Sequence, residues 1–142
     1  MAEVFEHSIR VGWGDCDPAR IVFTGRIPAF ALEAIDAFWE RATGVGGWFQ
    51  NEIDHGLAMP FVHMSLDFRK PITPRHRLLC RVAPTALGNT SVTLAVVGRQ
   101  DGHVCFEGRF VEVFVDPKTF AKRPPQERIV EAIRPYLATG AP

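Results

Sequence analysis

Two acids separated by a single residue, Asp15 and Asp17, are the side chains of this sequence best suited to do chemistry. They stand in Gly14-Asp15-Cys16-Asp17-Pro18-Ala19-Arg20-Ile21-Val22-Phe23, where Gly and Pro interrupt regular structure, so both acids belong to a loop. Loops held between rigid elements are where chemistry is usually placed. A carboxylate near a helix N-terminus can act as nucleophile or base, while the free N–H groups there polarise a carbonyl oxygen. That combination suits acyl transfer. The same residues also suit a turn in which Asp15 and Asp17 only bond backbone amides. On the pattern alone, both readings stay open.

The loop must be positioned by its neighbours. Before it, Phe5, His7, Ile9, Val11 and Trp13 alternate with Glu6, Ser8, Arg10 and Gly12, the signature of a strand with one wet face. After it, Ile27, Phe30, Ala31, Ala34, Ile35, Phe38 and Ala42 follow helical spacing, with Glu33, Asp36, Glu40 and Arg41 on the other side. Pro28 fits the first helical turn and Gly44 the position just past the end. Alanines at 29, 31, 34 and 37 keep this helix thin enough to lie close to a sheet. Residues 44–57, rich in glycine, read as a long connection.

From there the pattern is β. Val62, Met64, Leu66 and Phe68 alternate in one strand, Leu78, Cys80 and Val82 in the next, and Val92, Leu94 and Val96 in a third. Val104, Phe106, Phe110 and Phe114 share one side of a longer fourth. Gly88-Asn89 and Asp101-Gly102 supply turn chemistry, so these last strands form sequential antiparallel hairpins. Pro124-Pro125 stops the sheet, and residues 126–137 suit a short closing helix. The expected architecture is α+β, one domain over residues 1–142, with an antiparallel sheet wrapped around a central helix.

Asp15-Cys16-Asp17-Pro18-Ala19, then Ile21-Val22-Phe23, then a helix resembles the signature of the 4-hydroxybenzoyl-CoA thioesterase family, a branch of the hotdog-fold acyl-CoA thioesterases. Phe68-Arg69-Lys70-Pro71 at a strand end and Lys122-Arg123-Pro124 after the last strand extend the similarity over roughly residues 5 to 126. The resemblance implies a hotdog fold and hydrolysis of an acyl-CoA thioester, with a small aromatic or a short or medium acyl group. It implies Asp17 as the catalytic carboxylate and Asp15 as the acid that orders the loop. Backbone amides of Thr24 and Gly25 would stabilise the oxyanion. Coenzyme A enters as part of the substrate, and no other cofactor is expected. Phe23, Arg20, Trp48 and His63 are the substrate-binding candidates. Arg20 stands where family members usually carry Gly. Leu32 occupies a position where aromatic-acyl members place polar side chains, so the acyl group stays open. The family also implies a homodimer or homotetramer with sites at the subunit boundary, which would cover the exposed sheet edges of a lone protomer. Competing readings are a hotdog protein that binds acyl-CoA or an acyl carrier, or a dehydratase-like member. The His-plus-acid motif of hydratase relatives is not evident.

Composition narrows the partners. Sixteen basic residues balance 16 acidic ones without a basic tract, so no nucleic-acid surface is expected. No apolar run approaches the ~20 residues of a membrane span. The N-terminus lacks a charged-then-apolar signal pattern, and a cytoplasmic protein is expected. Three cysteines, Cys16, Cys80 and Cys105, lack metal-type spacing and suit reduced thiols. Cys16 has no histidine near it in sequence, which disfavours a thiol nucleophile. Five scattered histidines form no close ligand pair, so no metal site is expected. Some hotdog thioesterases carry their acid on the helix, which nominates Glu33 or Asp36 behind Asp17. Trp48 and Phe49 can line an acyl pocket, and Arg69, Lys70, Arg75, Arg77, Lys118, Lys122 and Arg123 are available for CoA phosphates.

Overall fold

The computed structural model describes residues 2–137. Five antiparallel strands form one sheet: β1 (Phe5–Ile9), β2 (Phe61–Phe68), β3 (Leu78–Leu87), β4 (Ser91–Gln100) and β5 (His103–Val113), in the order β1-β3-β4-β5-β2. A helix, α1 (Ile27–Thr43), crosses the concave face and packs against β1, β3 and β4. A short α2 (Trp48–Ile53) follows it, and α3 (Glu127–Ile133) closes the chain. This is the hotdog arrangement of a sheet wrapped around a helix.

The helix forms where its caps and apolar stripe predict. Pro28 lies in the first turn, where a missing N–H costs nothing. Gly44 closes the helix in the left-handed region at φ 70°, and its N–H reaches the Glu40 carbonyl at 3.0 Å. Ile27, Phe30, Ala31, Ala34, Ile35, Phe38 and Trp39 are buried on one stripe. Ala31 and Ala34 have no exposed surface, which is the close helix–sheet approach that small residues permit. Phe38 sits at the centre, edge-to-face with Phe5, Trp39 and Tyr136 at 5.1–5.6 Å between centroids.

On the sheet, β4 alternates buried and half-buried residues along its whole length, with Val92, Leu94 and Val96 fully buried beneath the helix. The hairpins β3–β4 and β4–β5 are sequential, as the turn residues predict. Gly98 pairs with Phe106 across β4–β5, and the Phe106 ring occupies the space a Cβ at 98 would need.

Three expectations are corrected. The first strand ends at Ile9, and Trp13, expected in its alternating face, lies in a 3-10 turn (Trp13–Asp15) with 93 % of its surface exposed. The chain leaves the sheet at Arg10 because β3 begins at Leu78, whose partner is Ile9. The connection after α1 is not irregular throughout, since α2 occupies Trp48–Ile53. Strand β2 does not bury its apolar row. It pairs only with β5, α1 does not cover it, and Val62, Met64 and Phe68 stay exposed.

The Gly98–Phe106 contact generates a stability prediction. Gly98→Ala displaces a buried ring and is expected to cost about 1–3 kcal/mol. Urea unfolding at constant m-value measures it, and a loss well below about 1 kcal/mol would show that the ring moves freely.

Candidate active site

The acid loop is a tight hairpin. Cys16 and Val22 form an isolated antiparallel bridge, Asp17 N–H donates to Ile21 O at 3.0 Å, and Arg20 N–H donates to Asp17 O at 2.9 Å. Asp17 and Pro18 thus occupy the first two positions of a β-turn, where both residue types are favoured. The Asp17 carboxylate bends back to accept the Ala19 N–H at 2.8 Å on Oδ1. Its second oxygen has no protein partner among the described residues. Arg20 follows at φ 69°, the left-handed position that ordinarily takes glycine in such a three-residue loop. Arg20 thus occupies a backbone conformation that favours glycine, the residue the resemblance leads one to expect there. Among the described residues, Arg20 forms no ion pair with Asp15 or Asp17.

Asp15 joins the loop to both its neighbours. Its Oδ2 accepts the Gly12 N–H at 2.8 Å, and its Oδ1 accepts Nε and Nη2 of Arg26 at 3.0 and 2.8 Å. Its carbonyl takes the Phe23 N–H at 2.9 Å. The Gly12 amide, with the Arg26 guanidinium adding to it, holds the Asp15 carboxyl below the usual carboxylate range against a smaller effect of burial. A further tie, from Val22 N–H to Ile72 O at 2.8 Å, fixes the return limb of the loop to the chain before β3.

Thr24 and Gly25 open the 3-10 turn (Thr24–Arg26) that leads directly into α1. Their amides are at the positive end of the helix and have no intrahelical acceptor. The Phe23 ring lies over Gly25 so closely that a Cβ there would come within 2.6 Å of it.

Three depressions surround these elements. Asp17 and Arg20 share a cleft of about 710 Å³ with Trp13, Cys16, Pro18 and Pro74. Beside it, sharing Trp13 and Pro74, a groove of about 340 Å³ is lined by Arg10, Arg75, His76 and Arg77. A separate chamber of about 550 Å³ lies between α1, α2 and the start of β2, and Trp48 is in its wall with Leu32, Glu33 and Asp36. Among the sequence candidates, Asp15, Phe23, Thr24, Gly25 and His63 line none of the three. His63 is exposed on the edge strand β2.

The floor of the chamber holds a residue that sequence reasoning did not single out. Glu112 is 3 % exposed, and its Oε1 accepts the Trp39 indole N–H at 2.9 Å. Burial pushes its carboxyl up to about 8, the Trp39 hydrogen bond acts in the opposite direction, and Asp36 adds to the rise. The signal was available: Phe110, Glu112 and Phe114 share one period-2 face, placing an acid in register with core aromatics. Trp13 and Arg10 were also passed over, because their alternation assigned them to a strand.

Comparison with known proteins agrees with the fold. The model of the thioesterase-like superfamily matches residues 11–133, and the chain belongs to that superfamily. Its class of chemistry is thioester hydrolysis. A crystal structure of a thioesterase-superfamily protein from Jannaschia sp. CCS1 is 47 % identical over 95 % of this chain and 94 % of its own, with a TM-score of 0.92. A 1,4-dihydroxy-2-naphthoyl-CoA thioesterase from Synechocystis shares the fold at 23 % identity and TM-score 0.80, over 92 % of this chain and 96 % of its own. A thioesterase from Thermus thermophilus, complexed with coenzyme A and zinc, does so at 19 % identity and TM-score 0.76, over 91 % and 90 %. No curated protein matches the sequence. Among the described residues, no helix is long and apolar enough to cross a membrane.

The local geometry makes two predictions. Arg20→Gly relieves a left-handed Arg and is expected to raise stability by about 1 kcal/mol, read by urea or thermal unfolding; a destabilised variant would mean the guanidinium holds the loop. Glu112 has a folded value near 8, above its ordinary value of 4.5, so the folded state binds the extra proton in between. Stability from this group is full below about pH 4.5 and falls as pH rises towards 8. Glu112→Gln should flatten the Tm–pH curve across that window, and an unchanged slope contradicts the assignment.

Proposed function

We propose that this protein hydrolyses an acyl-CoA thioester with Asp17 as nucleophile or general base. The observation that carries the reading is the Asp17 carboxylate, pinned through one oxygen with the other unpartnered among the described residues, on a hairpin that runs straight into the N-terminus of α1. In the nucleophilic route the free oxygen attacks the thioester carbonyl, the C–S bond breaks, coenzyme A leaves as thiolate, and water hydrolyses the resulting anhydride. In the general-base route Asp17 takes the proton from an attacking water, and the tetrahedral intermediate expels the same thiolate. Either route builds negative charge on the carbonyl oxygen. The Thr24 and Gly25 amides are the donors assigned to it, without the reorganisation that water would need.

Asp15 is the loop-ordering acid in this account. Bound to Gly12 and Arg26, it has no free oxygen with which to attack, which favours Asp17 for the chemistry. The groove of Arg10, Arg75 and Arg77 beside the Asp17 cleft suits the phosphates of coenzyme A, with Arg20 in the wall of the cleft itself. Phe23, lying over Gly25, would limit water at the oxyanion position, whereas His63 is better explained by the edge of the sheet. The acyl group itself is assigned to the chamber along α1, which begins at Ala29, one helical turn beyond Gly25.

The proposed assembly is a homodimer, or a tetramer built from it. Strand β2 presents an unpaired backbone edge eight residues long, with Phe61, Val62, Met64 and Phe68 exposed on it. Edges of that kind are normally charged, twisted away or covered. A second copy covers it most simply.

Two measurements test these proposals. Asp17→Asn preserves size and removes the charge, and turnover on a panel of aromatic and aliphatic acyl-CoA esters should fall by ~10² or more while the fold is kept. Retention of the native rate by Asp17→Asn would falsify the assignment. Light scattering on a sizing column should give at least twice the 15.8 kDa of the chain. An active 15.8 kDa species at micromolar concentration would refute the shared edge.

A further inference from the structure

The chamber between α1, α2 and the start of β2 has a composition that thioester hydrolysis does not require. Four aromatic rings reach it, those of Trp39, Trp48, Phe61 and Phe120. Four carboxyl groups do as well: Glu33 and Asp36 from α1, Glu52 from α2, and Glu112 from β5. Among the described residues, no Lys, Arg or His lines it. Its volume, about 550 Å³, falls within the range of small-ligand sites.

Glu112 is the feature that points to a ligand. It is 3 % exposed, Trp39 holds one of its oxygens, and the other has no protein partner among the described residues. An ionised acid here would be costly without a counter-charge, and burial holds this one neutral instead. A cation in the chamber is the partner that would let it ionise. A metal ion does not suit the donors, because among the described residues no three His, Cys, Asp or Glu are arranged to share one. Carboxyls and aromatic rings that share the wall of one chamber fit a larger, diffuse positive charge. Aromatic faces attract organic ammonium groups in that setting, and methylated ones need no hydrogen-bond acceptor.

We propose that this chamber binds the far end of an acyl group that terminates in a methylated ammonium, with the aromatic rings around it and Glu112 as its buried counter-ion. As the assignment of an acyl subsite, this rests on the acyl-CoA reading above. The geometry along α1 is compatible with it. From Gly25, Ala29 lies about 6 Å along the helix axis and Trp39, which holds Glu112, about 21 Å, so the ammonium end would be carried by an extended acyl chain. Anionic acyl groups are disfavoured by the carboxylates of Asp36 and Glu52, while Glu33 meets His7 Nε2 at 2.8 Å.

The proposal has a proton signature. Before binding, Glu112 is held neutral by burial, and Asp36 adds to that effect. Glu33 and Glu52 face the same space, and among the described residues no titratable group of β2 lines it. An incoming cation favours the carboxylate, so binding expels a proton and tightens as pH rises towards about 8.

Choline and its neutral isostere 3,3-dimethylbutan-1-ol are the probes, titrated calorimetrically into the purified protein on either side of the Glu112 value of about 8. The expected result is choline binding at least about tenfold tighter at the higher pH, with proton release at the lower pH, where Glu112 starts neutral. Glu112→Gln should abolish the proton release and most of the preference, leave the weak binding of the alcohol, and keep the native circular dichroism. Equal affinity for both probes, no measurable choline binding at millimolar concentration, or an undiminished preference in Glu112→Gln overturns the proposal. A pair of CoA esters, one ω-trimethylammonioacyl and the other with tert-butyl in place of the ammonium, separates this from the hydrolase reading. Hydrolysis of both without preference for the cation overturns the subsite and leaves the hydrolase standing. Choline selectivity without hydrolysis of any acyl-CoA supports the cation chamber and overturns the acyl-CoA assignment.

Discussion

One carboxylate holds the proposed reaction centre together. Asp15 is bound on one oxygen by the backbone where the chain leaves β1 and on the other by Arg26 at the entry to α1. Both elements are anchored in the core, β1 by its ladder to β3 and α1 by its stripe against the sheet. The hairpin carrying Asp17 therefore hangs between two fixed points rather than from one. Two guanidinium N–H groups in a fixed fork converge on one oxygen, Oδ1, which gives the contact the direction a positioning contact needs. Without it, the residues between Gly12 and Phe23 would be defined chiefly by the Cys16–Val22 bridge, the Val22–Ile72 tie and the turn itself.

Charge in this protein is balanced overall but segregated locally. The groove beside Asp17 gathers Arg10, Arg75 and Arg77, whereas the charged residues along the α1 chamber are all acids. A formal net charge of zero conceals this completely. Under the proposals above, the two surfaces take ligand ends of opposite sign, one phosphate and the other an ammonium group. A substrate with both would be aligned by electrostatics before any specific contact forms. Glu112 fits the same segregation: burial holds it neutral beside Trp39, and under the proposal above it ionises as a cation arrives.

Much of the fold was legible in the sequence because its periodicities are clean. The α1 stripe from Ile27 to Phe38, the Pro28 and Gly44 boundaries and the two late hairpins all rest on local rules, and the structure obeys them. Alternation failed where it carries no information about where a strand stops or what covers it. Trp13 kept the phase of β1 after the chain had left the sheet, so an exposed ring beside Asp17 read as part of a strand. Val62, Met64 and Phe68 kept the phase of a buried strand on an edge that α1 does not reach. Of the candidate site, the acid loop could be read because turn chemistry is local. The chamber could not, since it brings together α1, α2, Phe61, Glu112 and Phe120 from distant parts of the chain.

The central claim is that Asp15 acts only by placing Asp17, and a double-mutant cycle on turnover tests it most directly. Turnover is measured for the native protein, Asp15→Asn, Asp17→Asn and the double variant, with fold and oligomeric state checked for each. If Asp15 works through Asp17, the double variant is no slower than Asp17→Asn alone, because a positioning contact has nothing left to position. Losses that multiply would contradict the account, since they would mean that Asp15 contributes to the reaction independently of the carboxylate it is said to hold.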